Sequence, residues 1–131
     1  MASSGEVVRQ WTAAVMAGGL GLEFIDEAMV MENTPNFPIT GPYHGHEGVR
    51  RWWGDLTEAF EEMRIELDEI VEVDDETAYT TQRIVGRFRA TGIEIDEPWA
   101  AAYWVRNGRI VRTAGFGSGR SARRALGLPD R

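Results

Sequence analysis

At 131 residues the chain has the size of one domain, expected to span 1–131, and its formal charge of −7, from 14 Arg against 21 Asp and Glu, speaks against nucleic acid or an anionic membrane as partner. The sequence holds neither Cys nor Lys, which excludes disulfides, thiolate nucleophiles, sulfur-bound zinc, Schiff-base chemistry and a phosphate-loop lysine. No apolar run approaches the roughly 18 residues of a spanning helix, and Met1-Ala-Ser-Ser-Gly-Glu lacks the basic and apolar regions of a signal peptide, so a cytoplasmic protein is expected.

In chain order, Val7, Val8, Trp11 and Val15 form one stripe of a first helix, with Ser3 or Ser4 as its cap and Ala17-Gly18-Gly19 as its stop. Leu20 to Ala28 reads as a short second helix running into an apolar strand, Ala28 to Met31. Asn33 to Gly45, with three prolines and no period, reads as a loop. Val49, Trp52, Trp53, Leu56, Phe60 and Met63 then give the strongest helical stripe, with Glu47, Arg51 and Asp55 on the opposite face. Trp52 and Trp53 are adjacent, so at least one must lean to the edge of the buried face.

From Met63 the period drops to two. Met63 to Val73, Thr77 to Ala90, Ile93 to Arg106 and Arg109 to Phe116 read as four strands. They are joined by turns at Asp74-Asp75, Thr91-Gly92 and Asn107-Gly108, the last suited to a two-residue type I′ hairpin. Ser121 to Leu126 is a short terminal helix. Helices followed by an antiparallel meander predict an α+β domain. An unbroken register places Gln82, Ile84, Phe88, Ala101, Tyr103, Arg112 and Ala114 on one sheet face, a mostly apolar lining with a few polar groups.

The segment Gly41-Pro42-Tyr43-His44-Gly45-His46-Glu47-Gly48-Val49 resembles the lead-in to the third helix of SnoaL-like and related nuclear transport factor 2-like proteins. The acidic turn Asp74-Asp75, the hairpin Asn107-Gly108-Arg109-Ile110 and the closing Ala125-Leu126-Gly127-Leu128 fit the same pattern, so the likeness covers nearly the whole chain. It implies a cone-shaped, curved antiparallel sheet covered by three N-terminal helices around a central pocket, paired through the sheet as a homodimer. Polyketide cyclases, ketosteroid isomerases, scytalone dehydratase, limonene epoxide hydrolase and non-catalytic binders share that fold, and those enzymes need no metal or organic cofactor. Fold alone does not choose among them.

Carried over residue by residue, the isomerase general base corresponds to Glu32. Its oxyanion-hole acid falls at Ala100 or Ala101 and its helix-one tyrosine near Trp11, so both oxyanion donors are missing. The epoxide hydrolase triad falls near Gln82, Ile84 and Gly115 and is absent, and the dehydratase histidines have no clear counterparts. The sequence therefore leads to a pocket for a small apolar molecule, with cofactor-independent acid–base chemistry of the isomerase, cyclase or dehydratase type on a polyketide- or terpenoid-like substrate. Glu32 would be the base, Tyr103 and Arg112 the polarising groups, and His44 or His46 an acid or base at the mouth. Trp53, Gln82, Ile84, Phe88, Trp99 and Ala101 would line the walls. The two-residue histidine spacing offers no third metal ligand, so no metal is expected. The alternative is a non-catalytic binding or dimerisation module. A buried Glu32 facing a cavity favours the enzyme; a solvent-exposed one favours the binder.

Overall fold

The computed structural model describes residues 2–33 and 41–130. Helix α1 (Ser4–Met16) starts where expected: the Ser3 side chain accepts from the Glu6 backbone N–H. Ser4, fully buried, shares its one hydroxyl hydrogen between the Asp74 and Thr77 carbonyls, and the Gly5 N–H donates to Glu72 Oε1 at 2.8 Å. Those bonds dock the helix onto the turn between the first two long strands, so Val7, Val8, Trp11 and Val15 face the sheet.

The expected second helix does not form. Only Leu22–Phe24 makes a 3-10 turn, and Ile25–Glu32 is strand β1. Ile25, Met29 and Met31 are its buried positions, an alternating pattern that outweighs the helix-forming residues around it. The predicted loop also contains a strand, β2 (Tyr43–His44), paired antiparallel with β1; residues 34–40 of that loop lie outside the described residues. Helix α2 (Gly45–Ala59) begins at a glycine with φ of 62°, where a Cβ would sit 2.5 Å from the Glu27 carbonyl oxygen. Only glycine permits that approach. The helix ends before Phe60 and Met63, which extend its stripe into strand β3 (Phe60–Glu72).

Strands β4 (Thr77–Phe88), β5 (Glu94–Arg106) and β6 (Arg109–Phe116) complete the meander. Among the described residues the sheet has six strands in the order β2-β1-β6-β5-β4-β3 and is mixed, because β1 runs parallel to β6. Helix α3 (Gly119–Ala125) covers the outer face at one end, burying Ala122 with Tyr79 and Ala100, and Arg123 donates to the Tyr79 hydroxyl at 2.8 Å. Thus α1 and α2 precede the long strands and α3 closes the chain on the other side of the sheet, instead of three N-terminal helices stacked on one face. Among the described residues, no helix is long and apolar enough to cross a membrane.

Two register details decide which side chains face inward. The β4–β5 loop is longer than a two-residue turn: Phe88 N–H donates to the Ile93 carbonyl and Gln82 pairs with Trp99. That shift of two preserves parity, so Gln82 and Ile84 still face the helices. The β5–β6 hairpin starts as predicted with Arg106 opposite Arg109, but a bulge between Trp104 and Val105 places Trp104 opposite Arg112 and Tyr103 opposite Thr113. The extra residue on β6 reverses the faces beyond it.

Candidate functional site

Between the helices and the inner face of the sheet lies a cavity of about 70 Å³. That is several times the ~10–15 Å³ one water centre needs. α1 contributes Trp11, Thr12, Val15 and Met16, and α2 contributes Trp52 and Leu56. Met31 comes from the end of β1 and Asn33 from just beyond it, Met63, Ile65 and Leu67 from β3, and Gln82 and Ile84 from β4. Trp99, Ala101 and Tyr103 of β5, with Thr113 and Gly115 of β6, complete the wall.

The rings are arranged in series. Trp11 lies 5.9 Å from Trp52 and 6.0 Å from Tyr103 between centroids, the latter edge-on at 62°. Trp11 Nε1–H donates to the Leu20 carbonyl at 3.1 Å, which satisfies the indole and leaves its carbons to the cavity. Trp99 folds over Gly115, where a Cβ would come within 2.4 Å of its ring and 2.5 Å of Asn33 Oδ1. The glycine lets the indole cross the strand.

Thr80 donates its hydroxyl to Gln82 Oε1 at 2.7 Å, and buried Tyr103 shares the cavity wall with Gln82 and Thr113. Burial pushes the Tyr103 pKa up to about 12; the hydroxyls of Thr80 and Thr113, which can turn to donate to a phenolate, pull against that rise. The phenol therefore stays protonated across the physiological range. Among the described residues that line the cavity, Tyr103 is the one ionisable side chain. Residues 34–40, Thr-Pro-Asn-Phe-Pro-Ile-Thr, carry no ionisable side chain in their sequence.

The sequence-predicted site residues divide accordingly. Tyr103, Gln82, Ile84, Trp99 and Ala101 meet on the cavity wall. Glu32 does not: Met31 and Asn33 on either side of it face the cavity, and Glu32, opposite Ala114, is exposed on the other face. Arg112 is also turned outward by the bulge, where its guanidinium lies 4.4 Å from the centroid of Trp104. His44 is exposed at the start of α2, while His46 holds α2 to β1 through a 2.7 Å bond between Nε2 and the Ile25 carbonyl. Neither imidazole is on the cavity wall.

Trp53 and Phe88 belong to the core and not to the cavity wall. Trp53 packs against Trp52 at 5.9 Å, and Phe88 stacks on Phe60 at 4.8 Å. Sequence reading missed Thr113, which the bulge brings inward, and Trp52, the inward member of the adjacent pair. It also missed Met31 and Asn33, which the alternation of β1 would have revealed once that segment was read as a strand. Among the described residues, no three His, Asp or Glu side chains converge on a common point.

Residues 8–113 match the SnoaL-like domain family. No curated protein sequence matches the chain. Among solved structures, an NTF2-like protein from Burkholderia thailandensis E264 aligns with a TM-score of 0.83 at 23% identity, covering 88% of this chain and 91% of that one. TerC, co-crystallised with polyporic acid, aligns with a TM-score of 0.73 at 13% identity over 86% and 88% of the two chains. A protein of ketosteroid isomerase-like fold from Catenulispora acidiphila DSM 44928, in complex with trimethylamine, gives 0.72 at 16% identity over 95% and 94%.

Proposed function

The chain belongs to the SnoaL-like domain family, and from that premise we propose that it binds a small, uncharged, largely apolar ring compound in its cavity without acid–base chemistry. One observation carries this reading: the described wall of the cavity holds no carboxylate, imidazole or guanidinium, and its single phenol is held protonated. A proton-transfer mechanism needs a group that can change charge near neutral pH within hydrogen-bond reach of the substrate. Glu32, the candidate for that task, faces water.

Three indoles on the wall favour a flat ring as the guest. The fold's capacity to hold small molecules is supported by the TerC and Catenulispora complexes. Their ligands are an acid and an amine; this cavity offers neither a countercharge, so its own guest belongs to a different class. A matched set of naphthalenes tests the proposal by calorimetry: 2-acetonaphthone, 2-naphthoate and 2-naphthylmethylammonium. The neutral compound should bind at least about tenfold more tightly than either ion, because an ion entering this cavity would shed water without finding a partner. Equal affinity for an ion, or loss of neutral-ligand binding on Glu32→Gln, would overturn the uncharged-cavity reading.

A further inference from the structure

The cavity floor fixes the orientation of one amide. Thr80 donates its hydroxyl hydrogen to Gln82 Oε1 at 2.7 Å, and that bond assigns the amide oxygen of Gln82 to the floor. The amide N–H pair of Gln82, a residue on the cavity wall, is the donor that this bond does not use.

We propose that Gln82 donates an N–H to the bound molecule, so that the ligand is a neutral carbonyl compound whose oxygen meets that amide. This rests on the binding function proposed above and specifies its ligand class. Thr80 lies beneath the cavity floor, fully buried and outside the lining, so it acts as a positioning residue. Its hydroxyl holds the amide with oxygen toward the floor and nitrogen toward the guest. Without that anchor the amide can rotate and present its oxygen instead, which a carbonyl compound cannot use. A buried site built to satisfy a polar ligand atom rejects the analogue lacking it more strongly than an apolar site distinguishes shapes.

The test compares 2-acetonaphthone with its hydrocarbon isostere 2-isopropenylnaphthalene by calorimetry, in the full chain and in the Gln82→Leu, Gln82→Met and Thr80→Val variants. The ketone should bind at least about tenfold more tightly than the hydrocarbon to the unaltered protein. Both Gln82 variants should erase that preference, read as the ratio of ketone to hydrocarbon affinity within each variant, and Thr80→Val, outside the lining, should reduce the ratio without altering hydrocarbon affinity. Infrared spectroscopy of the bound ketone gives a readout on the unaltered protein, where its carbonyl stretch should fall below its value in an apolar solvent. Equal binding of ketone and hydrocarbon, or no shift of the stretch, overturns the proposal while the cavity remains a binding site. A preference that survives in Gln82→Met also overturns it, since the donor would lie elsewhere. Failure of both compounds to bind defeats the binding function itself.

Discussion

The two faces of the sheet, built from alternate residues of the same strands, have opposite chemistry. Along β4, Gln82 and Ile84 enter the cavity, whereas Arg83 and Arg87 point outward into ion pairs. Arg83 Nε meets Asp96 at 2.6 Å, and Arg87 reaches Glu62 and Glu94 at 3.6 Å each. Around the cavity the two parities differ: the outer face carries guanidinium and carboxylate side by side, and the cavity floor carries hydroxyls and an amide. Exposed pairs of this kind contribute about 0.2–1 kcal/mol each, while an unpaired charge moved inward costs several times that. The cavity's neutrality is thus a stringent property of the fold and the outer ladder a permissive one, which tells where substitutions should be felt.

The largest effect should come from placing a charge on the cavity wall. Ile84, 5% exposed, lines the cavity together with Trp99 and Ala101. Ile84→Asp removes most of its buried apolar surface and leaves a carboxylate with no cation on the wall. The expected loss is at least about 3 kcal/mol in urea unfolding near pH 7. A buried acid has its pKa raised on folding, so part of the loss should be recovered as pH falls through that raised value toward about 3.9, the free value below which the carboxyl is neutral in both states. A loss under about 1 kcal/mol would mean that water reaches Ile84 freely, and the contrast between the faces would vanish.

A neutral change at the same wall should cost less. Gly115→Ala puts a methyl group into the Trp99 ring and Asn33 Oδ1. The indole must swing into the cavity, so the substitution should destabilise by about 1–3 kcal/mol and weaken ketone binding. Tryptophan emission should shift with it. Unchanged emission and affinity would show that Trp99 can move aside without entering the ligand space, separating the shape of the cavity from its polarity.

Much of this contrast was readable in the sequence, because a period of two assigns faces without knowledge of the fold. Gln82, Ile84, Trp99, Ala101 and Tyr103 were placed on one face by alternation alone, and a shift of two in the β4–β5 register did not disturb them. Arg112 was misplaced by a single residue. The bulge after Trp104 has no marker in Val105-Arg106-Asn107-Gly108-Arg109-Ile110-Val111, and one unpaired residue exchanges inside for outside. Glu32 was misjudged for another reason. With 20–28 read as a helix, the strand begins only at Ala28, too short to reveal that Met29, Met31 and Asn33 share the inner face and leave Glu32 outside. Trp52 and Trp53 differ by about 100° of helical phase, and the apolar stripe was wide enough to admit either.

The smallest effect should come from the outer ladder. Arg87→Ala releases two carboxylates, Glu62 and Glu94, into water that already reaches them, so neither becomes a buried orphan. Its contribution to stability should be about 0.2–1 kcal/mol at low salt and should fade near 1 M salt, where the screening length is about 3 Å, shorter than the 3.6 Å pairs themselves. Affinity for a neutral ketone should not change at either salt concentration, because the guanidinium and the ligand lie on opposite faces and the ligand carries no charge to sense it. A salt-dependent affinity in the unaltered protein that Arg87→Ala abolishes would mean that the field of the outer face penetrates the sheet. The neutrality of the cavity would then be a balance of charges across the strands, and the ligand class would have to be argued from both faces together.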